Sequence, residues 1–155
     1  MHHIFYRTAS FTRPADVTIY TALDVVGAAA AALTFPSGGG PSSMFSVTGI
    51  EVQFNQAAPT ASGFRLHLYS VTPPSALADN AAFDLPSGDR ASYLGFVDTS
   101  TPVDLGSTIY ASSALLGKGI RAFESASIFG YLQVISGFTP DSAATVSVYI
   151  HCEGF

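Results

Sequence analysis

The sequence predicts an all-β chain: an antiparallel β-sandwich of about eight strands, with a jelly roll as the leading topology and little helix. Three observations predict it. In Gly63–Ser70, Phe64, Leu66 and Leu68 alternate with Arg65, His67 and Tyr69, the period of a strand with two unlike faces. Similar alternation recurs in Met44–Gln56 and Ala144–Cys152. Gly-, Pro- and Ser-rich turns separate the runs at fairly regular spacing, as in a sandwich. The count suits a jelly roll. An immunoglobulin-like sandwich is the competitor, but Trp is absent and Cys152 stands alone, so its usual marks are missing.

The elements follow in order. Ile4–Phe11 reads as a strand or an extended arm, and Arg13-Pro14 keeps Arg13 out of helix. Asp16–Tyr20 and Thr21–Val26 are β-compatible. Ala28–Ala32 favours helix by propensity, but the run is short, and strand or coil is expected. Ser37–Ser43 (SGGGPSS) is a loop. Its glycines lack the Lys and Ser/Thr of a phosphate-binding loop. Met44–Gln56 is a long strand, with Ile50, Val52 and Phe54 on one face and Glu51, Gln53 and Asn55 on the other. It is expected to pair with Gly63–Ser70 as a hairpin, since sequence neighbours usually pair. Val71–Pro86 is a loop, Ala91–Asp98 a strand, and Ser107–Leu116 ambiguous. Ile120–Glu124 is a short strand. Ser127–Ser136 is apolar on both sides and so buried on both faces or at an interface. In Ala144–Cys152, Val146, Val148 and Ile150 point inward; Ser147, Tyr149 and His151 point outward.

Composition bounds the function. The 155 residues suffice for one domain, 1–155, with a core of its own. Only 11% are charged, against about 25% in ordinary domains. A surface so poor in charge fits burial against other subunits, so a homo-oligomer, a dimer or trimer, is expected. Net charge is −5 with no basic run, which argues against nucleic acid. The segment around His2, His3 and Arg7 lacks the apolar core of a secretion signal. The uncharged run Val25–Ile50 is broken by Gly and Pro and is too short in apolar residues for a membrane span. No membrane partner is expected.

No catalytic motif appears, neither G-x-S-x-G, H-E-x-x-H nor C-x-x-C, and no enzymatic role or cofactor is expected. Asp79, Asp84 and Asp89, with Asn80, share one loop region, but their spacing matches no calcium loop; turn-forming roles account for them. His67 and His151 would make a zinc site only with further ligands. Tyr69, Tyr93, Tyr131 and Tyr149 read as exposed interface aromatics.

Four segments carry a resemblance. They are Phe11–Asp16 (FTRPAD) with Tyr20 and Asp24–Gly27, then Phe64–Tyr69 (FRLHLY), Asp79–Phe83 (DNAAF), and Tyr93–Val97 (YLGFV). In that order they resemble capsid decoration, or cement, proteins of tailed bacteriophages, which are jelly-roll sandwiches. The likeness spans residues 11–97 and transfers no catalytic residue. It implies a virion structural protein on the outer surface of a phage head, made in the host cytoplasm, that binds the major capsid protein and cross-bridges its subunits. On this reading Phe5, Arg7, Phe11, Arg13, His67, Tyr69 and Tyr149 are the candidate interface residues. Met1–Pro14 is either a contact arm or the sandwich's first strand. The rival is a tail or baseplate β-module that binds host glycans through Tyr and His.

Overall fold

The computed structural model describes residues 3–28, 30–38, 44–56, 62–113, 120–123 and 126–155. It is all-β, with no helix among the described residues. The strands are β1 (His3–Thr12), β2 (Val25–Val26), β3 (Leu33–Phe35), β4 (Met44–Phe54), β5 (Phe64–Tyr69), β6 (Tyr93–Asp98), β7 (Val103–Asp104), β8 (Ile109–Ser112), β9 (Ile120–Phe123), β10 (Ile128–Val134) and β11 (Thr145–Gly154).

Two antiparallel sheets face each other. The first runs β1-β11-β4-β8-β7, with β9 also on β4; the second runs β2-β10-β5-β6, with β3 also on β10. β2 and β3 lie along one neighbour, as do β8 and β9. Taking each pair as one interrupted strand and setting the short β7 aside leaves eight. The sheets then read first-eighth-third-sixth and second-seventh-fourth-fifth. That interleaving of two Greek keys is a jelly roll.

The core lies where alternate residues of both sheets meet. Leu66, Leu68, Val146 and Val148 are fully buried, as their periodicity predicts. Each such side chain contributes about 1.5–3 kcal/mol. Phe54 and Phe64 stack at 5.2 Å, with Phe138 set edge-on to both at 5.9 and 6.3 Å.

That stack corrects one expectation. β4 and β5 are not a hairpin; they belong to opposite sheets and meet face to face through the core. Both edges of β4 are occupied, by β11 on one side and by β8 and β9 on the other. The long connections of a jelly roll override the pairing of sequence neighbours.

Other expected elements are trimmed. Within Asp16–Tyr20 only Tyr20 joins the pairing, as a single bridge to Phe138. Within Thr21–Val26 only Val25–Val26 is strand. Ala28 and Ala30–Ala32 are irregular, with no helix. Residues 39–43 of the glycine loop lie outside the described residues. β10 is buried on both faces, as its sequence implies.

Part of the second sheet's outer face is covered, while Phe96 and Arg65 on that face stay open. Residues 70–92 fold back across it and enclose a smaller core of Val25, Tyr69 and Tyr131 with Leu77, Phe83 and Leu85. Backbone bonds sew this cover down, Val25 N–H to Ala81 O at 2.8 Å and Phe83 N–H to Leu23 O at 3.0 Å.

Candidate functional site

The seven residues expected at an interface fall in four environments. Tyr69 and His67 sit under the 70–92 cover. Tyr69 is wholly buried and His67 is 4% exposed. Both were expected on a polar outer face. They do face outward from the sandwich, but that face is a second interior. Tyr131 is buried there too, and Tyr93 is half-buried. His67 stacks on Phe83 at 3.6 Å, and its Nδ1 and Nε2 lie 2.9 Å from the Tyr93 hydroxyl and 3.1 Å from Gln133 Oε1.

Arg13 is buried in a polar cluster. Its Nε donates to the Tyr20 hydroxyl oxygen. Its Nη2 lies 3.4 Å from Asp79 Oδ2. The Tyr20 hydroxyl donates to Asp79 Oδ1 at 2.6 Å, and the Gly27 N–H donates to the same oxygen at 2.9 Å. Arg13 Nη1 donates to the Asp141 carbonyl at 3.1 Å. One guanidinium thus ties the chain after β1, the cover and the turn before β11. Desolvation, then the bond to Asp79, pushes the Tyr20 hydroxyl's pKa far up. The groups satisfy one another, so the cluster is a structural staple.

Arg7 is buried on the inner face of β1, its guanidinium 4.5 Å from the Phe45 ring centroid and donating to Ala126 O at 2.7 Å. Phe5 and Phe11, on that same face, are half-buried against the core. Burial of these side chains follows from their parity with Ala9 on β1.

Only Tyr149 of the seven lies on an open face, the outer side of the first sheet. Tyr6, 66% exposed, meets it edge-on at 6.1 Å. Ser10 and Ser147 face each other at 3.0 Å through their hydroxyls. Gln53 Nε2 donates to Glu51 Oε1 at 2.6 Å, and His151 Nε2 is 3.6 Å from Glu51 Oε2. Here Gly49, Tyr110, Ser112 and Ser113 complete an open depression of about 260 Å³. Ser113 Oγ accepts from the Ile50 N–H at 2.7 Å, so it serves the backbone at the β4 bulge. Chemically this is a weakly polar surface that can hydrogen-bond and stack.

The suggested metal groupings do not form. His67 and His151 lie in different sheets. Asp79 serves Arg13, Asp89 accepts from the Ser75 N–H at 3.4 Å, and Asp84 is exposed. No group of three metal-ligating side chains occurs among the described residues. Tyr6, beside Tyr149, and Ile4, opposite Glu153, are exposed and absent from the candidate set. The signal for them was their parity: Ile4, Tyr6, Thr8 and Ser10 alternate with the apolar-packed Phe5, Arg7 and Ala9.

No protein-family profile and no curated protein matches the chain. Solved structures match it weakly. One is the acidic stable capsid structure of Helicobacter pylori bacteriophage KHP30, at 12% identity and TM-score 0.30, over 100% of this chain and 94% of that one. Another is the C-terminal CBM6 of LamC, a marine laminarinase from Zobellia galactanivorans, at 13% and 0.31, over 99% and 100%. A third is the 60-mer BFDV capsid protein, at 8% and 0.38, over 99% and 93%. Likenesses this slight assign no function.

Proposed function

We propose that this chain is a virion structural protein, and specifically a decoration protein on the outside of a phage head. It binds major capsid protein subunits and cross-bridges them. The observation that carries the reading is the outer face formed by β1 and β11. Tyr6, Thr8, Ser10, Ser147 and Tyr149 give that face an uncharged stretch of hydroxyl-bearing side chains, bounded by His151 and Glu153. Such a face, able to stack through its tyrosines and to hydrogen-bond through its hydroxyls, suits repeated contact with a shell. The resemblance of the four segments supports the same role. Each copy contributes a modest contact, and the shell multiplies it over many copies.

The test uses particles lacking the protein. They assemble, but break at a lower temperature than native heads, and purified protein added back restores them. Tyr149→Asp protein, which puts a charge on the open face and leaves the core alone, fails to restore them. Finding the protein at the tail tip instead, with host adsorption lost on its removal and heads unchanged, refutes this reading. That outcome favours the glycan-binding module, for which the depression beside Glu51, Tyr110 and His151 is the supporting observation.

A further inference from the structure

We infer that β1 is a self-pairing edge, and that two copies of the chain join antiparallel through it, extending the first sheet across a two-fold axis. The inference starts from which backbone groups of β1 are used. The Arg13 N–H donates to Ala144 O, and the Asn55 N–H donates to Thr145 O. So Ala144, and by the antiparallel alternation Val146, Val148, Ile150 and Cys152, turn their backbone groups toward β1. Their partners are Phe11, Ala9, Arg7 and Phe5. The N–H and C=O groups of Ile4, Tyr6, Thr8, Ser10 and Thr12 therefore point away from β11, to a side where no other strand pairs with β1 among the described residues, with β3 passing close by.

Long open edges are templates for another strand unless something blunts them. The other edges are blunted. β7 and β2 have two residues each, and β3 three. β6 shifts register opposite Leu68/Tyr69, with Gly95 at φ 119°. β1 alone is long and regular, ten residues with no bulge against β11. Its outward set has no Lys, Glu or Pro to protect it, and the segment carrying Ala28 and Ala31–Thr34 comes beside it at Ala9–Phe11.

The choice of a second copy rests on charge and symmetry. Ile4, Tyr6, Thr8, Ser10 and Thr12 are all uncharged, so the edge meets itself without like-charge repulsion. A two-fold axis at Thr8 sets Thr8 against the partner's Thr8, Tyr6 against the partner's Ser10, and Ile4 against the partner's Thr12. Every open group of β1 then finds a bond. On the inner side the partner's Phe5 comes opposite Phe11. There, a groove of about 270 Å³ runs beside Ala9–Phe11, walled by Ala28, Ala31 and Ala32. The contact is isologous, so it closes at two copies and does not propagate into fibres.

The test is sedimentation of the full chain from low micromolar to several hundred micromolar, joined to cross-linking. We expect reversible association to twice the 16.1 kDa chain mass. Thr8→Pro removes only an open-edge N–H and Thr8→Lys adds a like-charge pair on the axis. Each abolishes the dimer with circular dichroism and melting unchanged. If the proline variant does not fold, the lysine variant decides. Thr8→Cys forms a covalent dimer under mild oxidation, because Cα atoms of a hydrogen-bonded pair lie about 5.5 Å apart, within disulfide reach. Ser10→Cys, which faces the partner's Tyr6, does not. Cys152 is buried and does not compete. A monomer at every concentration with no Thr8→Cys dimer overturns the inference, and so does a dimer that survives Thr8→Lys. Neither result bears on whether the protein binds heads, and failure to bind heads leaves the dimer test intact.

Discussion

Acidification acts first on His67. Gln133 Nε2 donates to the Leu23 carbonyl at 3.0 Å, so its Oε1 is the atom that meets the imidazole. His67 Nε2 must then carry the proton, and Nδ1 accepts from the Tyr93 hydroxyl. The ring is neutral and its tautomer is fixed by partners on β6 and β10, with Phe83 of the cover against its plane. Burial holds its pKa down from 6.5 to about 4. The bond to Gln133 opposes that; Arg65 on β5 lowers the value further and Asp98 on β6 raises it. The unfolded chain binds a proton here near pH 6.5, the folded chain only near 4. Between those values the unfolded state holds more protons, so stability falls as pH falls and levels off below about 4. At about 1.4 kcal/mol per pH unit the loss is about 3 kcal/mol. The assay is urea unfolding at about pH 7.5, 5.5 and 4, on this chain and on His67→Gln. The variant is weaker at neutral pH, having lost the stack on Phe83. Its deficit shrinks by about 3 kcal/mol on going to pH 4, since only the parent loses stability through this group. Parallel decline of the two proteins refutes the argument.

Two further outcomes check the packing. Tyr69 is wholly buried and its hydroxyl has no hydrogen-bond partner among the described residues. Tyr69→Phe should therefore leave the melting temperature unchanged or raise it, whereas Tyr20→Phe, which breaks the Arg13–Asp79 staple, should cost about 1–3 kcal/mol; a larger loss for Tyr69→Phe contradicts the assignment. A Cβ on Gly130 would stand 2.7 Å from the His67 carbonyl and 3.2 Å from Leu66 Cδ1, so Gly130→Ala should lose about 1–3 kcal/mol while Gly88→Ala, with open space around it, is neutral by thermal denaturation.

Much of the sandwich was legible because period two is imposed by the core itself. Leu66, Leu68, Val146 and Val148 had to share a buried side, and of the two places open to β10, between layers of this chain or at an interface, the chain itself fills the first. What escaped was long-range. Nothing local to Met44–Phe54 or Phe64–Tyr69 says that they face each other across the core and do not pair at their edges. Alternation also tells two faces apart without saying what covers the second. Arg65, His67 and Tyr69 read as a side toward solvent or a partner, yet 70–92 of the same chain lies over His67 and Tyr69. The hint was in that connection, which is long and carries Leu77, Phe83 and Leu85, more apolar bulk than a free loop needs. Arg7 and Arg13 entered the candidate set through the resemblance, and pattern gave no sign of their burial: both lie against aromatic rings, with Arg13 also facing a carboxylate.

The two sheets therefore differ in what they offer a partner. Most of the second sheet's outer face lies under the 70–92 cover, leaving Arg65 and Phe96 open, and its edges are short or bulged. The first keeps its outer face open and presents the long regular edge at β1. Tyr6 belongs to both features: its side chain packs on Tyr149 on the face, and its backbone groups point off the edge. Pairing through β1 would leave the face uncovered, because strand addition uses groups in the plane of the sheet and the face lies above it. It would double that face instead, setting two Tyr6–Tyr149 pairs about one axis. A dimer built this way bridges two subunits of a shell with one continuous sheet, so loosening either contact leaves the other holding. Thr8 lies on both edge and face, opposite Tyr149, so the variant that separates them must add no charge. Thr8→Pro, which removes the open-edge N–H, should yield monomers that keep Tyr6 and Tyr149, and Tyr149→Asp should yield dimers that have lost the face. On the proposed head binding, Thr8→Pro protein binds heads more weakly than its parent, and Tyr149→Asp protein does not bind. Equal binding by Thr8→Pro and its parent would mean that bridging does not use the dimer.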